Sequence, residues 1–344
     1  MFITAPLPFY NKIVRKHEPL VRQFQYILRI SLFILLLFPG VIIHAQDAAL
    51  SGGRTGSMAD GELVLRAYKK CFPDKIGEIS YIENDWTVIA GSEIFFWAGG
   101  RLLPKAEKDE FDSWSPHIFY GIPAKPASPD TYPPQFIETL RSRGSSEARM
   151  EQPDSHRSFH GIIYGGLERK DIEANLERID FLGAKVNIHR NIAAALRRID
   201  AEIRKNHGGE NFIGSIASIE GYSWRPIAGT QRMSYHSWGL AIDIQPKRLG
   251  GKAIYWMWER GRNKDWMLVP LENRWNPPDM VINAFEKEGF VWGGKWPFYD
   301  NMHFEYRPEL HEFSRLMTAK TTVQPAGSGA ELHHIYPDNI RNKK

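Results

Sequence analysis

An α+β fold, a small antiparallel sheet flanked by helices, is what this 344-residue sequence predicts. Three observations predict it. Apolar residues recur at helical spacing through residues 167–206, short β-type runs follow at 212–220 and 240–245, and a helix and a strand pair close the pattern at 278–306.

The chain opens with Lys12, Arg15, Lys16, Arg22 and Arg29, then an uncharged run from Ile30 to Ile43. That run is about fourteen residues, interrupted by Pro39 and Gly40, and a membrane-spanning helix needs roughly twenty. It reads as an export signal cut after Ala45, in the small-residue context Ile43-His44-Ala45. An uncleaved N-terminal anchor is the alternative. Residues 1–45 hold five Lys/Arg and one acid of the chain's 44 and 40, which leaves 39 of each sign. The net charge of +4 therefore belongs to the targeting segment and gives no reason to expect a nucleic-acid partner. Cys71 is the single cysteine, so an exported chain of this size must be held by its core without an internal disulfide.

Residues 46–61 are small and polar and read as a linker. An N-terminal accessory region follows at 62–132. It has a short helix near Leu63 to Cys71, strand-like runs at 86–90 and 93–98, and a close marked by Ala98-Gly99-Gly100-Arg101 and the prolines from Pro123 to Pro134. The principal domain is placed at 133–317. Within it, 141–157 is charged and Ser-rich and is expected to be an exposed loop. Ile172, Leu176, Ile179 and Leu182, then Val186, Ile192, Ala195, Leu196 and Ile199, predict two helices broken near Gly183. The stretch 247–277 has few regular features and carries Tyr255, Trp256, Trp258, Trp266 and Trp275, either as a cleft wall or as simple packing. A helix opened by Pro277-Pro278 runs to Lys287 and stops at Gly289, and strands follow near 290–292 and 303–306. Residues 318–344 are polar and read as a flexible tail.

The chemistry lies in two segments. Ser234-Tyr-His236-Ser-Trp-Gly239-Leu-Ala241-Ile-Asp243 places a histidine and an aspartate seven residues apart across a glycine. Trp292-Gly-Gly-Lys-Trp296-Pro-Phe-Tyr-Asp300-Asn-Met-His303-Phe-Glu305 supplies a second histidine, with a carboxylate three residues before it. A catalytic zinc takes three nitrogen or oxygen ligands and keeps one position open, so His236, Asp243 and His303 are the candidate set. Asp243 lies in an apolar strand and shares a face with Ala241 and Gln245, where a buried charge needs a partner.

The pattern S-x-H-x-x-G-x-A-x-D followed at a distance by D/E-x-x-H resembles the signature of the zinc D-Ala-D-Ala metallopeptidase family. That family includes D-alanyl-D-alanine carboxypeptidases, D-Ala-D-Ala dipeptidases and L-alanyl-D-glutamate endopeptidases. The resemblance covers about Val186 to Tyr306, and Trp-Gly-Gly-Lys-Trp at 292–296 is similar to the endopeptidase branch. It implies a hedgehog/DD-peptidase-like sheet carrying Zn2+ on His236, Asp243 and His303, with Asp300 as general base. Glu305, which shares the His303 face of a strand, is the second choice for the base. Gly221-Tyr-Ser-Trp-Arg225-Pro resembles the family's arginine segment, so Arg225 would stabilise the oxyanion, with Arg232 as its rival. The implied substrate is the stem peptide of peptidoglycan, met outside the cytoplasm in the periplasm or beyond. No nucleic acid and no stable membrane insertion after signal cleavage are expected. A zinc-containing peptidoglycan-binding module without turnover is the alternative. His160, His189, His207, His311 and the pair His333-His334 fall in no ligand motif and are expected at the surface.

Overall fold

The computed structural model describes residues 58–323. The expected export signal, most of the expected linker and the last part of the expected tail therefore lie outside the described residues. Among the described residues no helix is long and apolar enough to cross a membrane.

Helix α1, Met58–Cys71, starts inside the expected linker and buries Val64, Leu65, Ala67 and Tyr68, one stripe at helical spacing. It lies against a four-stranded antiparallel meander, β1 (Ile76–Ile82), β2 (Asp85–Ala90), β3 (Glu93–Phe96) and β4 (Leu103–Pro104). The sequence reading found β2 and β3 and missed β1, whose residues are mostly half-exposed and so carry a weak alternation. The apolar core is continuous from this region into the C-terminal part of the chain: Tyr68 and Phe95 both meet Phe159 edge-on, and Phe119 meets Phe313.

Residues 141–157 are not the expected loop. Helix α2 (Pro134–Arg143) enters that stretch, and a short helix, Ser146–Met150, comes next, with Ser145 Oγ accepting from the Ala148 N–H at its start. The first of the two helices expected over 167–206 is also corrected. A β-hairpin, β5 (Leu176–Phe181) and β6 (Ala184–His189), occupies most of it. Ile179 and Phe181, then Val186 and Ile188, are buried at a period of two, and Leu182-Gly183 make the turn with φ of 48° and 85°. Such a two-residue turn needs both residues at positive φ to match the twist of the strands, which Gly183 permits. The three- and four-residue spacing through Ile172 and Leu182 arose by chance across a short helix, Arg169–Glu173, and the hairpin. The second helix stands as α3, Arg190–Lys205, burying Ile192, Leu196, Ile199 and Ile203.

Residues 209–215 form a further short helix where a β-type run was expected, and the strand begins at β7, Ile216–Glu220. β7, β8 (Ala241–Pro246), β10 (His303–Tyr306) and β9 (Phe290–Trp292) form an antiparallel sheet in that order. One face, with Ile242, Ile244 and Phe304, packs against α3 and α4 (Asp279–Lys287); Phe304 stacks on Phe285 at 4.0 Å between centroids. The other face carries the polar residues of the site. Helix α5, Pro308–Val323, packs along α1 and continues past residue 318, where the flexible tail was expected to begin.

Candidate metal centre

The first motif is a sequence of local devices that deliver His236 and Asp243 to one point. Ser234 stands at the N-terminus of a short 3-10 turn, Tyr235–Trp238, and its Oγ accepts from the His236 N–H at 3.2 Å. Gly239 ends the turn at φ 67°, and a Cβ there would lie 2.7 Å from the His189 backbone nitrogen, so only glycine fits. β8 then starts with the fully buried Ala241, which faces Glu305 across the ladder, and Asp243 is paired directly with His303. Facing residues on adjacent strands stand within side-chain reach, which is how two segments sixty residues apart share one site.

His236 Nε2 is 3.1 Å from Asp243 Oδ2, His303 Nδ1 is 2.8 Å from Asp243 Oδ1, and the two ring nitrogens are 3.3 Å apart. All three residues are buried, and one ligand atom from each lies within 4.8 Å of the others. The outward nitrogens are both held: His236 Nδ1 donates to the Gly221 carbonyl at 2.6 Å, and His303 Nε2 donates to Glu305 at 3.3 Å. A carbonyl can only accept, so Nδ1 of His236 carries the proton and its Nε2 aims a lone pair at the Asp243 carboxylate. Lone pairs facing a carboxylate in a buried site need a cation between them. Two imidazoles and a carboxylate, with their outer atoms pinned, are a donor set that suits a divalent metal such as zinc.

Without a metal, protons do the same work. Burial raises Asp243, but the two imidazoles beside it overcome burial and hold its carboxyl far below the usual carboxylate range. Burial lowers His303, and the Asp243 charge outweighs it and raises the imidazole well above its ordinary value.

Asp300 lies in the turn before β10, as its spacing suggested. Its N–H donates to the Gly293 carbonyl, its carbonyl accepts from the His303 N–H, and its backbone bridges Tyr255. Burial first, and then the charge of Asp243, push its carboxyl up to about 7. Oδ1 is sealed from solvent with no hydrogen-bond partner among the described residues, an orphan position that awaits a partner in the site. Arg225 reaches in from the other side, with Nη2 3.9 Å from Asp243 Oδ2 and Nε 3.9 Å from Glu220 Oε1. Its loop is sewn to the His236 turn: Ser237 Oγ donates to the Arg225 carbonyl at 2.7 Å, and the Arg225 N–H donates to Ser237 Oγ. Arg232, the rival, lies in the turn closed by the Ile227 N–H on its carbonyl, so Arg225 is the arginine set against Asp243.

The structure thus gathers all five residues singled out from the sequence. Sequence reasoning missed the Gly221 carbonyl, which no residue type could have signalled, and the place of Glu305, which it weighed only as a base. Tyr255, read from the sequence only as one aromatic of the 247–277 stretch, stands beside Asp300, and its phenol is pushed up to about 12 by burial and by Asp300. Of the histidines expected at the surface, one is buried and another is half-buried against aromatic rings. His189 is buried, its Nδ1 accepting from the Asn191 N–H to cap α3, and His160 stacks on His117. In the aromatic stretch, Trp256 and Trp266 are buried against Phe298, whereas Trp258 is 54% exposed beside Tyr255.

A family model described as D-alanyl-D-alanine carboxypeptidase matches residues 228–306, which contain both motifs. The site-bearing part of the chain is thus similar to a family of peptidases, the family that its two motifs resemble. A second model, described only as a domain of unknown function, matches residues 64–119. No curated protein and no solved structure matches the chain.

Proposed function

We propose that this chain is a zinc-dependent peptidase that hydrolyses a peptide bond in the stem peptides of peptidoglycan, and that residues 1–45 export it to that substrate. The observation that carries the proposal is the buried convergence of His236, Asp243 and His303 on a sheet face where Asp300 stands with its carboxyl near neutrality. A zinc ion held there would polarise the peptide carbonyl and lower the pKa of a bound water towards about 7.

The chain's own residues do the rest. Asp300, at about 7, is matched to a proton that must be taken at neutral pH and given back: it accepts from the attacking water and returns the proton to the leaving amine. Arg225, half-exposed at the rim, offers its guanidinium to the carbonyl oxygen as charge builds on it. Tyr255 and the exposed Trp258 make a wall next to Asp300, which supports the cleft reading of the 247–277 stretch at those two positions. The Trp-Gly-Gly-Lys-Trp run has a packing explanation: a Cβ at Gly294 would lie 2.1 Å from the Trp292 ring, and Trp292 Nε1 donates to the Asn301 carbonyl. It therefore gives little weight to the endopeptidase over the carboxypeptidase.

The test is digestion of purified peptidoglycan by residues 46–344, with and without chelator and with Asp300→Ala alongside, the products being read by mass. Loss of a terminal D-alanine assigns a carboxypeptidase, and a new amine on D-glutamate assigns an L-alanyl-D-glutamate endopeptidase. Stoichiometric zinc with no bond cut under any condition replaces the enzyme by a binding module.

A further inference from the structure

The His303 ring is held from behind by a chain of polar groups that ends outside the region matched by the peptidase family. His303 Nε2 donates to Glu305 Oε2 at 3.3 Å, and Arg307 Nη1 donates to Glu305 Oε1 at 3.2 Å. Arg307 is itself pinned, with Nε on Glu309, Nη2 on the Ile118 carbonyl at 2.9 Å, and the guanidinium 5.7 Å from the Phe119 ring and 5.2 Å from the Tyr235 ring. A second contact runs in parallel. The Trp296 ring lies 5.7 Å from that of His303, and its Nε1 donates to Tyr120 Oη at 2.6 Å. Residues 118–120 of the N-terminal region thus stand behind the same imidazole by two routes.

The alternation His303, Glu305, Arg307 places the three side chains on one side of an extended segment; His303 and Arg307 are buried, and the Glu305 side chain between them is 12% exposed. A buried arginine with three fixed acceptors has no freedom to swing away, so Glu305 has one position, and so has the ring it holds. We propose that Ile118, Phe119 and Tyr120 complete the metal centre from outside it: through Arg307 and Glu305, and through Trp296, they fix His303 with Nδ1 facing His236 and Asp243. Glu305 and Arg307 are positioning residues here, and the N-terminal region is a working part of the site. This rests on the metal reading above.

The test is zinc affinity of the metal-stripped full chain, measured by competition with a chromophoric chelator, together with the unfolding midpoint of the metal-free form. Groups that hold a metal-binding histidine typically contribute ten- to a hundredfold in affinity. Glu305→Gln, which keeps the volume, is expected to weaken zinc binding by about tenfold or more. Arg307→Lys, which cannot reproduce the fork to Glu305 and Ile118, is expected to weaken it in the same direction. The double variant is expected to bind no more weakly than Glu305→Gln, because the arginine acts through the glutamate. Tyr120→Phe, which keeps the ring and removes the Trp296 contact, is the fold-safe probe of the second route and is expected to lose about threefold or more, a smaller loss than that of the histidine's direct partner. Metal-free midpoints that fall without any change in zinc affinity would mean a purely structural network and overturn the inference. So would affinities of all three single variants within twofold of the parent chain. If the parent chain itself binds no zinc, the metal reading fails and takes the inference with it; tight binding by the parent with unaltered variants sinks the inference alone.

Discussion

Replacing Asp300 by asparagine should slow hydrolysis strongly and, in the metal-free protein, make the chain more stable at alkaline pH. The folded carboxyl is raised from 3.8 to about 7, first by burial and then by Asp243. A raised carboxyl contributes stability that is fully present below its unfolded value and is lost as pH rises through the folded one. Between pH 5 and pH 7 the unfolded chain is already ionised while the folded group still holds its proton, and at about 1.36 kcal/mol per pH unit that interval corresponds to about 2.7 kcal/mol. Relaxation and water entry reduce such figures, so about 1–3 kcal/mol is the expected range. Asparagine has the same shape, can still accept the Met302 N–H that Asp300 accepts, and never ionises. Urea unfolding in chelator at pH 5 and pH 8 should therefore show the Asp300→Asn advantage growing with pH, by about 0.5–1.5 M in midpoint at a slope of about 2 kcal/mol/M. A difference that stays flat with pH, or that favours the parent chain at pH 8, would refute the burial argument for Asp300. Hydrolysis by the loaded variant should fall by about a hundredfold or more, the usual contribution of a positioned base.

Arg225→Lys should lower kcat by about ten- to a hundredfold through weaker oxyanion contact while zinc affinity stays unchanged, which steady-state kinetics and chelator competition separate. Gly239→Ala should cost about 2 kcal/mol or more, since the residue must hold φ 67° and its Cβ would strike the His189 nitrogen; thermal unfolding checks it. Phe285→Ala, at a fully buried ring stacked on Phe304, should cost about 3–5 kcal/mol, and should cost activity too if β10 shifts with its support. Because His303 is held protonated by Asp243, zinc must displace that proton, so affinity should fall as pH drops below neutrality; titration of zinc binding between pH 5.5 and pH 8 reads it.

Much of the site was legible in the chain because short-range geometry builds half of it. Ser234 capping, the turn ended by Gly239 and the opening of β8 all lie within ten residues, and their residue types are dictated by backbone hydrogen bonding and by φ. The strands at 290–292 and 303–306 and the helix ending before Gly289 were likewise marked by apolar runs and by turn residues. The hairpin at 176–189 was misread because two buried residues on each of two short strands also fit a helical spacing, and only pairing across the turn tells the two apart. The burial of His189 was hidden for a similar reason: its ring caps a helix and meets the Tyr164 carbonyl, a partner distant in sequence.

What the sequence determined by itself was the donor set, since residue type and local spacing fix which atoms can hold a metal. What only the tertiary structure decided was their meeting: the register that sets His303 opposite Asp243, the loop that brings Arg225 and the Gly221 carbonyl, and the link from Ile118 to Glu305 through Arg307. Those depend on strand pairing and on burial between segments far apart in the chain, where the free energy comes from contacts that no local pattern records.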